Sequence, residues 1–116
     1  MDKREITGNE LEKVAGGIGE IVEIARGICK AFTGTGKTST GTDPAKGTVR
    51  ADPRVIPYGT KVRIVKAANG ETIYAGTIKD ADPDCMSGGV LVKVYMATEQ
   101  EVRAFGAQNV IIYEIG

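Results

Sequence analysis

Apolar and polar residues alternate in the second half of the chain, which is typical of β-strands with one buried face. The clearest case is the run KVRIVK at residues 61–66. The dipeptide Asn69-Gly70 follows it and favours a β-hairpin with a type I′ turn, because both central residues of that turn have positive φ. We therefore predict a return strand over residues 71–78 and further strands over residues 90–95 and 110–113.

A short helix is predicted between the last two strands. Thr98 and Glu101 have the spacing of a capping box, in which each side chain accepts a hydrogen bond from a backbone N–H at the helix start. The helix should end near Phe105, because the next residue, Gly106, is typical of helix C-termini. Strands, one helix and a final strand together predict a small β-barrel with a helical insert.

The first 37 residues have a helical pattern instead. Thr7 and Glu10 again have capping-box spacing, so a short helix is predicted before Gly16-Gly17. Over residues 18–37 we predict an amphipathic helix and a linker. The other face of that helix carries charges of both signs, which makes a membrane-surface helix the less favoured alternative. The apolar positions at helical spacing are Ile18, Val22, Ala25, Cys29 and Phe32.

The composition argues against several functional classes. The 116 residues contain 15 Lys plus Arg and 15 Asp plus Glu, so there is no basic excess for binding nucleic acid. The chain has no His and only two Cys, which leaves a zinc site without its usual ligands, and no metal or other cofactor is predicted. No apolar run reaches the roughly 20 residues that span a bilayer, so stable membrane insertion is not predicted.

The two cysteines, Cys29 and Cys85, leave two alternatives open. In an exported protein, a disulfide between them would tie the front of the chain to an acidic loop. Otherwise they are two independent, half-buried thiols. The sequence does not fix the distance between their Cα atoms, so it does not decide the pairing.

The N-terminal segment, MDKREITGNELEKVAGG, resembles the double-glycine leader of bacteriocin-type exported peptides. The resemblance implies that a peptidase-containing ABC transporter recognises residues 1–17 and cleaves the chain after the second glycine. Residues 18–116 of a cytoplasmic precursor would then be secreted or associated with the cell wall. The alternative is an ordinary capped helix that ends at glycine. The residues that carry the resemblance are Ile6, Glu10, Leu11, Val14, Ala15, Gly16 and Gly17.

Residues 38–116 resemble the three-aspartate (3D) domain, a six-stranded double-psi β-barrel that forms the catalytic part of membrane-bound lytic transglycosylase A. The most specific match is the block DPRVIPYGT at residues 52–60. A TG-rich start at residues 40–42, Gly89, and residues 101–106 and 110–113 also fit the family pattern. With the leader at residues 1–17 and the helix and linker at residues 18–37, the barrel is expected over residues 38–116.

The three family aspartates are only partly present. Asp52 matches the first and Asp82 the second, whereas Lys93 stands at the third position. In the lytic enzymes of the family the third aspartate is the proposed general acid. The resemblance therefore leaves Asp82 as the candidate acid, with Asp52 or Asp84 in support.

A carboxyl group that acts as a general acid needs a raised pKa, which neighbouring carboxylates can supply. Asp80, Asp82 and Asp84 are close enough in sequence to repel one another, whereas a nearby Lys93 would favour the ionised form. The alternatives are a solvated acidic loop and, for Asp52 before a proline, a turn-initiating role.

Two functions remain for this wall-directed protein, and peptidoglycan is the expected partner in both. The first is lytic-transglycosylase-like cleavage of the MurNAc–GlcNAc bond, in which one carboxyl group acts as acid and then as base. The second is a non-catalytic, bacteriocin-like or wall-binding barrel in which Lys93 has replaced the catalytic aspartate. In either case three tyrosines are candidates for stacking on sugar faces, although each is equally consistent with packing in the barrel: Tyr58, Tyr74 and Tyr95.

Overall fold

The computed structural model describes residues 21–116, in which six strands form a closed barrel accompanied by two short helices. The mainly β class and the six-stranded barrel expected from the sequence are confirmed. The expected leader at residues 1–17 lies outside the described residues. The strands are β1 (Ile21–Phe32), β2 (Thr48–Ala51), β3 (Lys61–Lys66), β4 (Thr72–Ala81), β5 (Val92–Tyr95) and β6 (Gln108–Ile115). The helices are α1 (Pro83–Met86) and α2 (Glu99–Phe105).

The strands follow the order β1-β5-β2-β4-β3-β6 around the barrel. β1 lies between β5, to which it is parallel, and β6, to which it is antiparallel. β2 lies in the same way between β4, to which it is parallel, and β5, to which it is antiparallel. Each of these two strands is thus inserted between two strands that follow one another in the sequence. These two inserted strands give the barrel its double-psi arrangement.

Alternate side chains of the strands fill the barrel interior. In β5, Val92 and Val94 are fully buried, and Lys93 between them lies on the outer side of the barrel wall. Most of the core residues are β-branched, and such side chains pack well on a pleated surface. The core consists of Cys29, Val49, Ala51, Ile56, Val62, Ile64, Ile78, Val92, Val94, Val110 and Ile112.

The amphipathic helix expected over residues 18–37 is wrong where the structure describes this segment, because Ile21–Phe32 is strand β1. Ile and Val dominate the segment and favour a strand, and Gly27 in its middle disfavours a helix. A β-bulge lies between Glu23 and Ala25, and the extra residue breaks the alternation that identifies strands in a sequence. The strand belongs to the barrel, so the barrel begins before the expected boundary at residue 38.

The expected hairpin joins β3 and β4, although its turn differs from the expected type. Lys66 and Glu71 close the hairpin through a 2.8 Å hydrogen bond from the Lys66 N–H to the Glu71 carbonyl. Four residues therefore form the loop, whereas a type I′ turn has two. Gly70 supplies a positive φ of 77°, and the Asn69 side chain accepts a hydrogen bond from the Glu71 N–H.

The predicted N-cap of the second helix, Thr98, is confirmed, whereas the second hydrogen bond of the capping box comes from the residue before the N-cap. The Thr98 side chain accepts from the Glu101 N–H at 3.1 Å, and the Glu101 side chain accepts from the Ala97 N–H at 3.0 Å. The helix ends at Gly106, which has a positive φ of 66°. The other helix, α1, was not expected, and it occupies the place of the predicted acidic loop.

The residue before β2 lies close to β4. The Gly47 carbonyl accepts a 2.8 Å hydrogen bond from the Thr77 N–H, at the start of the parallel pairing of the two strands. Gly76 leaves room for this approach, because a Cβ atom there would lie 2.8 Å from the Gly47 carbonyl carbon. The close approach thus depends on the absence of a side chain at Gly76.

Candidate functional site

Two parallel strands bring the first two candidate aspartates to neighbouring positions. Asp52 directly follows β2, and Asp82 directly follows β4. The last residues of these strands, Ala51 and Ala81, are paired in the parallel register. Asp52 and Asp82 therefore leave the same end of the barrel side by side.

A β-bulge turns the aspartates of β4 to the outer side of the barrel. Val49 pairs with Ile78, whereas the next residue, Arg50, pairs with Asp80, so β4 contains one extra residue. Because side chains alternate along a strand, this extra residue moves Asp80 to the face opposite the buried Ile78. Arg50 also points outward, and its guanidinium stacks on the Phe32 ring at 3.9 Å.

Asp82 is buried and held by three donors. Its Oδ1 accepts from the Asp84 N–H at 2.9 Å, so Asp82 is the N-cap of α1. The same oxygen lies 3.2 Å from the Lys93 Nζ, and Oδ2 lies 3.3 Å from Nη1 of Arg50. Each oxygen of Asp82 therefore faces at least one donor.

Lys93 joins Asp82 to Asp84. Its Nζ lies 2.8 Å from Oδ2 of Asp84, and its side chain is only 17% exposed. Burial works against the charge on Lys93, but hydrogen bonds to Asp84 and Asp82 outweigh burial and raise the pKa of the ammonium group. The hydrogen bond from Lys93 in turn lowers the pKa of Asp84.

Asp80 is a further buried member of this cluster, although the sequence did not single it out as a catalytic candidate. The Ser39 N–H and hydroxyl donate to its Oδ1 at 2.9 and 2.7 Å, and Arg50 Nε donates to Oδ2 at 3.1 Å. Burial alone would raise the pKa of Asp80. The hydrogen bonds from Ser39 and Ala81 and the charge of Arg50 outweigh it and hold the pKa below 3.8, its ordinary value.

Asp52 forms a separate ion pair with Arg54. The Arg54 N–H donates to Oδ1 at 2.9 Å, and the guanidinium contacts both carboxylate oxygens, the shortest distance being 2.8 Å. These hydrogen bonds lower the pKa of Asp52. The Asp52 carbonyl also accepts from the N–H groups of Val55 and Ile56, so the turn-initiating role is present as well.

A cavity of about 280 Å³ lies beside Asp52. This volume is at the lower limit of ligand sites, which span roughly 300–1,000 Å³. Its wall contains the charged residues Arg26 and Asp52, apolar side chains and several glycines. The lining includes Arg26, Gly27, Ile28, Asp52, Val55 and Leu91.

The three candidate tyrosines do not gather in one groove around this cavity, because none of them lines it. The Tyr74 hydroxyl donates to the Tyr95 carbonyl at 2.9 Å and accepts from the Gly47 N–H at 2.7 Å. Tyr95 packs edge-on against Phe32. Both contacts are structural. Tyr58 is 41% exposed on the loop after β2 and is the best placed of the three to meet a sugar.

Both cysteines are free and buried, so the disulfide between Cys29 and Cys85 is not formed. The thiols point at different backbone carbonyls, those of Lys30 and Arg50. Burial raises the pKa of each thiol to about 12. At neutral pH both remain protonated, and a protonated thiol is a poor nucleophile.

Sequence reasoning missed two of the cations that neutralise the aspartates, Arg50 and Arg54. Arg50 lies between the buried residues Val49 and Ala51, and strand alternation could have placed it on the outer side of the barrel, but not beside Asp80. Arg54 stands two residues after Asp52, a spacing that suits a turn contact. Ser39 gave no signal, because it reaches Asp80 from 41 residues away.

Across residues 21–116 no group of three or more potential metal ligands could hold a metal ion. In the same part of the chain, no helix is both long enough and apolar enough to cross a membrane. The expected leader residues Ile6, Leu11, Val14, Gly16 and Gly17 lie outside the described part.

Chemically, the cluster is a set of ion pairs, with Arg50, Arg54 and Lys93 facing Asp52, Asp80, Asp82 and Asp84. The pKa is lowered at Asp52, Asp80 and Asp84, which is the opposite of what a general acid near neutral pH requires. No protein-family model matches the sequence, and no curated protein matches it either.

Proposed function

We propose that the chain is an exported, non-catalytic barrel that binds peptidoglycan, the second of the two functions considered from the sequence. The observation that carries the proposal is the position of Lys93, whose ammonium group lies within 3.2 Å of both Asp82 and Asp84. At this position the related lytic enzymes are expected to have an aspartate.

The contacts of the cluster support binding over cleavage. A lytic transglycosylase needs a carboxyl group that holds a proton near neutral pH and can reach a glycosidic oxygen. The pKa of Asp52 and of Asp84 is lowered, and Asp82 has donors at both oxygens. These aspartates serve to hold loops and strands in place.

The loop after β2 is the proposed contact surface for the wall polymer. It carries Val55 and Tyr58, which are 59% and 41% exposed. An exposed ring can stack on the apolar face of a sugar and still bring its hydroxyl to a polar partner. The loop is held rigidly at its start, because Asp52 accepts hydrogen bonds from Arg54, Val55 and Ile56.

Export is part of the same proposal. A peptidase-containing ABC transporter would recognise residues 1–17 and release residues 18–116 to the cell surface. Treatment of the full chain with the peptidase domain of such a transporter should give a product that begins at Ile18, as N-terminal sequencing would show. A chain that stays intact would remove export from the proposal and leave wall binding to be tested separately.

Co-sedimentation with insoluble peptidoglycan tests the binding function. We expect the protein to pellet with peptidoglycan and Tyr58→Ala to weaken binding by about 1 kcal/mol, or roughly fivefold. Glu99→Ala is the matched control, because Glu99 is exposed on α2 rather than on the loop after β2. Failure of the unmodified protein to pellet would contradict the proposal.

The same samples test cleavage. Chromatography of the supernatant should show no 1,6-anhydro-muropeptides. Their release by the unmodified protein, and its loss in Asp82→Asn, would establish a lytic enzyme instead. Lys93→Asp is the informative second variant, because an added carboxylate beside Asp82 and Asp84 would repel theirs and favour a protonated carboxyl group in the cluster. Activity gained by that variant alone would identify a barrel inactivated by one substitution.

A further inference from the structure

Strand β1 has one edge that is open over most of its length. It pairs with β6 from Ile21 to Cys29, whereas its pairing with β5 on the other edge begins only at Cys29. Within residues 21–116, no strand pairs with the second edge of residues 21–26, whereas the Ile28 carbonyl already accepts a 2.8 Å hydrogen bond from the Leu91 N–H. An exposed strand edge of this kind is a template for pairing with another strand.

The open part of β1 is also apolar. Ile21, Val22 and Ile24 are 49%, 48% and 37% exposed, which places them among the exposed large apolar residues of the described chain. Because neighbouring residues of a strand point to opposite faces, these side chains leave an apolar patch exposed on both faces of the open segment, and exposed apolar patches mark interaction surfaces. Edge and patch together make this strand a docking surface.

The sequence of the strand is complementary to itself. If two copies of the segment IVEIARGI pair antiparallel around a two-fold axis between Ile24 and Ala25, Glu23 of each copy lies opposite Arg26 of the other. The same register places Ile24 opposite Ala25. Opposite charges and apolar pairs at facing positions both stabilise an antiparallel ladder.

The bulge in β1 places these two charged side chains on the same face of the strand. Residues three apart normally lie on opposite faces of a strand, but the extra residue between Glu23 and Ala25 places Glu23 and Arg26 on the same face. Within one chain they form an exposed ion pair, with Arg26 Nε 2.6 Å from Glu23. Across the axis, the two pairs would form one network of four charges.

The cavity described above lies at the end of this open edge. Arg26, Gly27 and Ile28 of β1 form one side, and Leu91 forms part of the other. In the proposed register, Ile21 of the second copy comes to this end of the strand. A cavity of about 280 Å³ leaves space there for an apolar side chain.

We propose that two copies of this chain form a symmetric dimer by antiparallel pairing of the open edges of β1, with the axis between Ile24 and Ala25. Such an interface is isologous, because each copy uses the same surface. The dimer does not depend on the proposed wall-binding function. It joins the sheets of two barrels into one continuous sheet.

Analytical ultracentrifugation of the full chain tests the dimer. We expect the average mass to rise from that of a monomer to that of a dimer between about 1 μM and about 1 mM protein. Ile24→Lys places two ammonium groups at the axis and should leave the protein monomeric over this range. A monomer at every concentration would overturn the proposal.

Charge reversal tests the register. Glu23→Arg and Arg26→Glu should each weaken the dimer by about tenfold, because like charges then face each other twice across the axis. The double variant, with Glu23→Arg and Arg26→Glu, restores opposite charges and should recover dimerisation. Circular dichroism checks that each variant is folded. Dimerisation unaffected by these substitutions would place the interface elsewhere and overturn the proposal.

Hydrogen exchange separates the second copy from another occupant, residues 1–20 of the same chain. If a second copy covers the edge, the backbone N–H groups of residues 21–27 become protected as the protein concentration rises. Protection that is independent of concentration would show that the chain covers its own edge, and it would overturn the proposal.

Discussion

At the scale of single residues, Lys93 decides what the acidic cluster can do. Its ammonium group lies between Asp82 and Asp84 and is mostly buried. A carboxylate in its place would create mutual repulsion, which is the usual way to make one carboxyl group of a cluster hold a proton near neutral pH. With lysine there, the same aspartates form ion pairs.

A side chain added at Gly76 should destabilise the fold. We expect Gly76→Ala to lower the free energy of unfolding by about 1–3 kcal/mol, because the added Cβ forces β4 away from the Gly47 carbonyl. Urea unfolding followed by circular dichroism measures the change.

Gly36→Ala is the matched control for this substitution. A Cβ at Gly36 would meet no atom within 4 Å, so the free energy of unfolding should change by no more than about 0.5 kcal/mol. Equal effects of the two substitutions would show that Gly47 and Gly76 do not approach each other closely.

At the scale of elements, the sequence predicted those that carry strong local signals. The hairpin after β3 and the capped helix α2 were both expected. Their signals, Asn69-Gly70 and the pair Thr98 and Glu101, form hydrogen bonds with residues that are close in the sequence. Strand β1 was misread as a helix. Its identity depends on pairing with β5 and β6, which are distant in the sequence, and its bulge hides the alternation.

The candidate site was predictable to a similar degree. The resemblance singled out Asp52 and Asp82 together, and the structure places them at neighbouring strand ends. Their partners were not predicted, because Arg50 reaches Asp80 and Asp82 only through the parallel register of β2 and β4 and the bulge in β4. Contacts between distant strands carry no local sequence signal.

Helix α1 depends on Asp82 in two separable ways. Asp82→Asn keeps a capping side chain but removes the charge that faces Arg50 and Lys93, so the free energy of unfolding should fall by about 2 kcal/mol. Asp82→Ala should cost about 1 kcal/mol more, because the Asp84 N–H also loses its acceptor. Denaturant unfolding of both variants gives the two contributions.

The control for these variants is Asp84→Asn. Asp84 is 65% exposed, and exposed ion pairs contribute about 0–1 kcal/mol. An Asp82→Asn variant as stable as Asp84→Asn would mean that the buried ion pairs add nothing to the fold.

At the scale of the whole molecule, the lowered pKa values of Asp52, Asp80 and Asp84 link stability to pH. The unfolded chain takes up protons near the ordinary value of 3.8, before the folded protein does. The stabilisation by these groups is therefore complete above about pH 5 and is lost as the pH falls below about 4. Urea unfolding at a series of pH values should show this fall.

Two variants identify Asp80 as a source of the acid sensitivity. Asp80→Asn should be less stable at pH 7 and should lose less stability on acidification. Ser39→Ala removes only one hydrogen bond to this carboxylate and should give an intermediate profile. If acidification destabilises Asp80→Asn as much as the unmodified protein, the sensitivity has another origin.

The pairing of β1 with β6 determines when the barrel can close during folding. Ile21 pairs with Ile115, so the first described strand must wait for the last to be synthesised before the wall can close. Folds dominated by such long-range pairings have a high contact order and fold slowly. We therefore expect a chain that lacks β6 to remain without a closed barrel until its last strand has been synthesised.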